Sequence, residues 1–373
     1  MAGGNGLLKI LMTADTVGGV WTYCMELCKA LQYASAQIFL VTSGARMKKA
    51  QREEVAALSH VTVYETDYKL EWMENPWADI ETSGQYLLEL EAALQPDVIH
   101  LNSYTYGSLP WKAPVVMVAH SDVFSWWQAV KKEQPPAEWR TYFNCVKEGI
   151  NSSDRLIAPS QTMLNYIQNI YAPEVEQQVI FNARSRELFA PGDKQQFIFC
   201  MGRLWDEAKN IQLLIKAAPH IQYLIKIAGD HQFENNQQAV QAGKIQYLGT
   251  LNSRQVAAQL ASAAIYTLPA RYEPFGLSIL EAALSGCALV LGNIDSLKEL
   301  WENKAVYVDT HEPLALADLL NYLMKNKAIR MQYARKAYVH AQKFSTQHMA
   351  QQYLQVYQQL IQLKTTNLKT AIA

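Results

Sequence analysis

LLKILMTADTVGGVWTYCMELCKAL, residues 7–31, is the stretch on which the fold turns. Its first six residues are almost unbroken apolar, the pattern of a strand covered on both faces. Asp15-Thr16-Val17-Gly18-Gly19 then interrupts the run. Beyond it, Val20, Cys24, Leu27, Cys28 and Leu31 recur at helical spacing. A buried strand, a Gly-rich turn and a helix in that order form the opening of a Rossmann-like βα unit.

Working outward, further short apolar strands are predicted at Ile38–Thr42, Val61–Tyr64, Val98–Leu101, Val115–Ala119 and Leu156–Ala158, with helical patterns at 82–94 and 137–151 between them. Such alternation predicts a parallel sheet with helices on both faces. Phe189-Ala190-Pro191-Gly192-Asp193 then reads as a linker, after which the pattern restarts. Strands are expected at Phe197–Met201, Leu224–Ala228, Ile245–Leu248, Ile265–Leu268 and Ala288–Leu291, and helices at 210–218, 253–263 and 277–285. The fold class is therefore α/β, with two successive doubly wound, Rossmann-like parallel-sheet domains expected at 1–188 and 189–345. A last amphipathic helix, within about 346–373, is expected to pack back on the first domain. Open parallel sheets bind ligands at the carboxyl ends of their strands, so two sheets facing each other would frame a cleft for a ligand with two distinct ends.

Composition narrows the function. The chain has 373 residues and a formal net charge of −1, with no long basic run, which argues against a nucleic-acid partner. The basic cluster Arg46, Lys48, Lys49, Arg52 is short and is followed by Glu53 and Glu54, as on a solvated helix face. Five scattered cysteines fit packing in a reducing compartment better than a metal set. The N-terminus lacks a signal-peptide pattern, and no apolar run approaches the ~20 residues of a membrane span. A cytoplasmic location is expected, with peripheral contact at the inner face of the membrane left open.

The chemistry concentrates in RYEPFGLSILEAALSGCALV, residues 271–290. Pro274 keeps Glu273 out of helix, so a helix should begin near Leu277 and end near Ser285, with Gly286 as its left-handed cap. Glu273 then stands in the loop ahead of the helix and Glu281 one turn inside it. Gly276 allows close approach of backbone N–H groups, and the helix start favours a phosphate. Carboxylates and free N–H groups together can grip sugar hydroxyls. In GRLWDEAKN, residues 202–210, Arg203 and Lys209 stand past the end of a strand, where two cations suit a diphosphate. His120 also follows a strand, at the same carboxyl-end side.

Taken in order, DTVGGVWTY (15–23), APS (158–160), VIFNAR (179–184), GRLWDEAKN, YLGTLNSRQV (247–256) and EPFGLSILEAALSGCALV resemble the retaining GT-B glycosyltransferases of family four, a group that includes sucrose synthases and bacterial polysaccharide and lipid glycosyltransferases. The resemblance implies roles residue by residue. Gly18 and Gly19 would present N–H groups to the diphosphate, and Arg203 and Lys209 would neutralise it. Glu273, with the backbone of Phe275, Gly276 and Leu277, would hold sugar hydroxyls and the near phosphate. Glu281 would bind ribose hydroxyls, His120 the donor sugar near its reacting end, and the backbone at Tyr247 and Leu248 the base. Two departures stand out: Phe181 replaces the usual Pro before Asn182, and Ala183 the usual Gly after it. Asp122 lies one position too far from His120 to match the adjacent His-Asp pair of some members.

The resemblance further implies retaining transfer of a hexose by front-face attack, with the leaving phosphate taking the acceptor proton. The sequence contains no Asp-x-Asp, the usual metal-holding pair, so metal-independent transfer is expected, with Arg203, Lys209 and helix starts supplying the positive potential. No cofactor is expected beyond the sugar-nucleotide co-substrate. UDP-glucose is the favoured donor, with GDP-mannose next. A saccharide or lipid-linked saccharide is the expected acceptor, in polysaccharide or glycoconjugate synthesis. Seven of the nine tryptophans lie in the N-terminal half, Trp126 and Trp127 among them, and offer stacking surfaces for it. The alternatives are a sugar-nucleotide epimerase of the same fold and a non-catalytic nucleotide-sugar-binding subunit. A nicotinamide dehydrogenase is disfavoured because the first loop lacks Gly-x-Gly-x-x-Gly.

Overall fold

The computed structural model describes residues 6–229 and 244–372, with side chains to Thr366. Among the described residues the chain forms two compact units, one of residues 1–127, 133–182 and 346–373, the other of 128–132 and 183–345. Each is built on its own parallel sheet.

The first sheet has seven described strands: β1 (Leu8–Asp15), β2 (Ala36–Ser43), β3 (Val61–Glu65), β4 (Val98–Leu101), β5 (Val115–Val118), β6 (Arg155–Ala158) and β7 (Gln177–Val179). Their order is β3-β2-β1-β4-β5-β6-β7, parallel throughout. The second has six: β8 (Gln195–Met201), β9 (Leu224–Ala228), β10 (Ile245–Gly249), β11 (Ala263–Leu268), β12 (Ala288–Gly292) and β13 (Val306–Val308). They run β10-β9-β8-β11-β12-β13, again all parallel. In each sheet the winding reverses once, between β1 and β4 and between β8 and β11. Ligands of open α/β sheets bind outside the strand ends at such reversals.

The central strands are apolar on both faces because helices cover both. β4, β5, β6, β11 and β12 are buried at every position. The helix Gly19–Leu31 buries Trp21, Tyr23, Cys24, Met25, Leu27, Cys28 and Leu31, so the two cysteines pack as thiols in the core. The helix Thr346–Ile372 packs on Gly19–Leu31 and buries Met349, Tyr353, Val356, Tyr357 and Leu360 in the first unit. The apolar spacing of the tail thus reports a core-facing stripe.

Sequence reading missed several elements. β7 and β13 are three residues each and too short to carry a pattern. The helices Gln161–Tyr171, Asp295–Trp301, Pro313–Lys325 and Lys327–Ala341 also went unread. Lys327–Ala341 buries only Arg330, Ala337, His340 and Ala341, so no apolar stripe marks it.

Candidate active site

In the second unit the site grows from the loops after β8 and β11, the two strands that flank the winding reversal. β11 is fully buried and delivers the chain to Pro269–Gly276. Gly276 caps the following helix, Leu277–Leu284, in the left-handed region at φ +85°. The conformation favours glycine, and a Cβ there, 2.7 Å from Ile279 Cδ1 and 3.3 Å from Glu273 Cγ, would also push the end of Ile279 aside. The helix lacks a side-chain cap and has no acidic residue in its first turn. By contrast, Ser160 and Asn252 cap their helices with side-chain oxygens. An uncapped helix start keeps its positive end available to an anion.

Glu273 is 9% exposed and faces the other loop. Lys209 Nζ donates to its Oε2 at 2.5 Å, and Ser296 Oγ donates to its main-chain carbonyl at 2.6 Å. The carboxylate therefore stands on a backbone that is itself held. Lys209 reaches it because the loop Gly202–Asn210 is folded by its own residues. Asp206 Oδ1 accepts the Ala208 N–H at 3.0 Å while its Oδ2 accepts Arg203 Nη2 at 2.7 Å. Burial pushes Asp206 up, but the charges of Arg203 and Lys209 and these hydrogen bonds more than offset it, and the carboxyl is held below its usual range. Asn210 Nδ2 donates to the carbonyls of Pro269 and Thr310, each at 2.9 Å, so one amide ties the loops after β8, β11 and β13. The Arg271 N–H adds a bond to the Ala208 carbonyl at 2.8 Å.

Arg203 is the more exposed cation, 42% at its side chain, and its guanidinium lies 5.2 Å from the Trp205 ring centroid. Glu281 lies on the helix Leu277–Leu284, whose Ile279, Leu280, Ala282, Ala283 and Leu284 are buried, and is itself 6% exposed. Its Oε1 accepts Arg184 Nε at 2.7 Å, and Arg184 is itself 7% exposed with its guanidinium 4.9 Å from the Phe189 ring centroid. A carboxylate in an apolar helix needs a buried partner cation, and Arg184 is that partner. Phe275 is a core side chain, 5.4 Å edge-on from Phe344, so only its backbone is offered to a ligand. Tyr247 and Leu248 lie on β10, the edge strand, whose outer backbone groups have no neighbouring strand among the described residues.

The first unit holds Gly18, Gly19 and His120. Gly18 is extended (φ −141°) and caps the helix Gly19–Leu31 without a side-chain bond, with no acid in the first turn. A Cβ on Gly19 would meet nothing within 4 Å, so packing does not demand glycine there. His120 is half-buried and follows β5. Its Nε2 lies 2.7 Å from Asn102 Oδ1, and the Tyr23 ring stands edge-on at 4.5 Å between centroids. Burial pushes its pKa down to about 3. Asp122 is buried, and its Oδ1 accepts the N–H groups of Phe124 and Ser125 and the Tyr171 hydroxyl.

The second unit thus brings together Arg203, Lys209, Glu273, Phe275, Gly276, Leu277 and Glu281 in the sequence segments expected. Asp206, Asn210, Arg184, Asn102 and Tyr23 were not foreseen. Asp206 was legible as an acid three residues after Arg203, and Asn102 as a polar residue just past an apolar strand. Nothing in the sequence pointed from Arg184 to Glu281, which lie 97 residues apart.

Two family descriptions match the sequence: Glycosyltransferase Family 4 over residues 17–186 and Glycosyl transferases group 1 over 182–340. A phosphatidyl-myo-inositol mannosyltransferase of Mycobacterium leprae is 26% identical over 171 residues, 43% of this chain and 46% of that protein. The matched stretch therefore spans about half the length of this relative. Among solved structures, sucrose-phosphate synthase of Thermosynechococcus elongatus superposes with a TM-score of 0.82 at 17% identity, over 95% of this chain and 100% of that one. HepE of Anabaena, in complex with UDP-glucose, gives 0.74 at 18%, over 94% and 100%. At such identities the likeness is one of fold.

Proposed function

This chain belongs to glycosyltransferase family four and has the GT-B fold, and from that premise we propose that it transfers a hexose from a nucleoside-diphosphate sugar to a saccharide or lipid-linked saccharide, with retention and without a metal. The observation that carries the reading is the Lys209–Glu273 pair, set 2.5 Å apart ahead of the uncapped start of Leu277–Leu284. A sugar diphosphate needs hydrogen-bond acceptors for hydroxyls beside donors and positive charge for phosphate, and this corner supplies both.

On this reading Glu273 accepts hydrogen bonds from sugar hydroxyls, and Lys209 and Arg203 take up the charge that grows on the leaving diphosphate. The backbone of Gly276 and Leu277 meets the near phosphate. Glu281, oriented by Arg184, accepts from the ribose, and the edge backbone at Tyr247 and Leu248 meets the base. Gly18 and Gly19 offer the helix start of the first unit to an anion, and His120 meets the sugar. Front-face attack suits a site whose Glu273 is already held by Lys209 and by its own backbone, which favours positioning over nucleophilic attack. Cationic side chains and helix starts together can stabilise the leaving group without a metal ion.

UDP-glucose is the first donor to test, supported by the HepE complex, and GDP-mannose the second, supported by the mannosyltransferase relative. Trp126 and Trp127, half-buried and 6.0 Å apart, are the proposed stacking surface for a saccharide acceptor. Peripheral attachment to a membrane fits a lipid-linked acceptor; no described helix is long and apolar enough to cross one.

Calorimetric titration with UDP, GDP and ADP in EDTA, followed by the matching sugar nucleotides, tests the proposal. One diphosphate should bind without metal, and Arg203→Ala or Lys209→Ala should weaken it at least tenfold. No binding of any of the three to the folded protein would overturn the donor site. The anomeric configuration of the product, read by proton NMR, decides between retention and inversion.

A further inference from the structure

Asn102 and His120 follow the neighbouring parallel strands β4 and β5, and their side chains meet at 2.7 Å. The orientation of the amide is set from its other end. Asn102 Nδ2 donates to the Thr13 carbonyl at 2.6 Å and to Cys24 Sγ at 3.4 Å. Turned over, the amide would press its oxygen against that carbonyl, acceptor against acceptor. The Asn102 N–H also donates to Thr13 Oγ1 at 2.8 Å, which pins the residue to β1. The atom facing the imidazole is therefore an oxygen that can only accept, so His120 Nε2 must carry the hydrogen. In a neutral ring one nitrogen donates and the other accepts, which leaves Nδ1 as the acceptor.

The ring is also braced from one side. Tyr23 stands edge-on to His120, and its hydroxyl lies 3.2 Å from His100 Nε2. His100 Nδ1 lies 2.6 Å from the hydroxyl of Tyr357, on the helix Thr346–Ile372. Tyr353 of the same helix packs on both Tyr23 and His100. Two further titratable groups stand close by: the Tyr104 hydroxyl donates to the carbonyl of Ser121, next to His120, and the Cys24 thiol lies against the Asn102 amide. On its own segment, the Asp122 carboxylate is engaged by helix amides and Tyr171.

We propose that Asn102 is a positioning residue that locks His120 as the neutral Nε2–H tautomer, so that His120 offers bound saccharide an acceptor nitrogen, Nδ1, for a hydroxyl. The proposal rests on the reading of His120 as a sugar-contacting residue. Burial, which pushes His120 down to about 3, keeps the ring neutral throughout the neutral pH range. A ring nitrogen that only accepts selects a hydroxyl, which can donate to it.

Long-range proton–nitrogen NMR of the histidine rings tests this, with His120→Gln assigning the signal. His120 should show a protonated Nε2 and an unprotonated Nδ1. Asn102→Leu, which keeps the branched outline but removes the whole amide, its acceptor included, should leave a mixture of tautomers and lower kcat/KM about 10- to 100-fold. Asn102→Asp sets a second oxygen against the Thr13 carbonyl, at a cost in stability, but should retain Nε2–H, raise the ring pKa and move the acid limb of kcat/KM to higher pH, a shift that loss of packing alone would not give. A protonated Nδ1 in the unaltered protein, or an unchanged tautomer in Asn102→Leu, would overturn the proposal. A shifted tautomer with unchanged turnover would leave the orienting contact standing and remove His120 from the sugar. If no sugar nucleotide is turned over at all, the functional reading fails, while the ring signals still decide the tautomer.

Discussion

Lys209 and Glu273 each solve a problem for the other. A carboxylate at 9% exposure needs a cation, and a lysine meant for a diphosphate needs a fixed direction before ligand arrives. Arg203 with Asp206, and Arg184 with Glu281, repeat the arrangement. The candidate donor corner is thus built from three cation–carboxylate pairs rather than from isolated charges. If Lys209 and Glu273 act as a unit, their effects must not add. Lys209→Ala should lower kcat/KM about 10²- to 10³-fold, the range for removing one charge-stabilising donor. Glu273→Gln should cost far less in that background than in the intact protein. Initial-rate kinetics on the two single variants and the double variant would check it, and fully additive losses would show that the pair is coincidental.

Elements decide where those side chains stand. Gly276 sits at φ +85°, where a non-glycine residue costs about 1–2 kcal/mol, and its Cβ would crowd Ile279 as well. Gly276→Ala should therefore lower stability by about that amount and also raise the donor KM, because the displaced turn carries both Glu273 and the helix start. Denaturant midpoints alongside donor titration would test this; a stability loss with unchanged donor affinity would assign the glycine to folding alone. The turn was readable in advance because Pro274 and Gly276 limit the backbone locally. So were most sheet strands, whose apolar runs are covered on both faces. What escaped was set by partners distant in sequence. Arg184 looks like any loop arginine until Glu281 arrives beside it, and His100 looks like a strand histidine until Tyr23 and Tyr357 close on it. Lys327–Ala341 escaped because its buried face is made of Arg330, Ala337, His340 and Ala341, which no apolar periodicity reveals.

At the scale of the whole molecule, the chain lends residues 128–132 to the second unit, leaves the first at 182 to build the rest of the second, and returns at 346. The returning helix is part of the first unit's core: Met349, Tyr353, Val356, Tyr357 and Leu360 are each at most 5% exposed. Burying side chains of this size contributes about 1.5–3 kcal/mol each, so five together amount to roughly the net stability of a domain. A chain ending at Ser345 should therefore keep a folded second unit, whose core draws on residues 189–344, and lose the first. Limited proteolysis read by mass spectrometry should find new cleavage throughout 6–182 and continued protection of the core strands of 195–308. Tyr357→Phe offers a milder version, removing only the hydroxyl at 2.6 Å from His100 and costing about 1 kcal/mol or somewhat more. Equal protection of both units in the shortened chain would mean that the first sheet is stable without its returning helix. The buried His100–Tyr357 bond would then serve the orientation of the ring cluster rather than the folding of the unit.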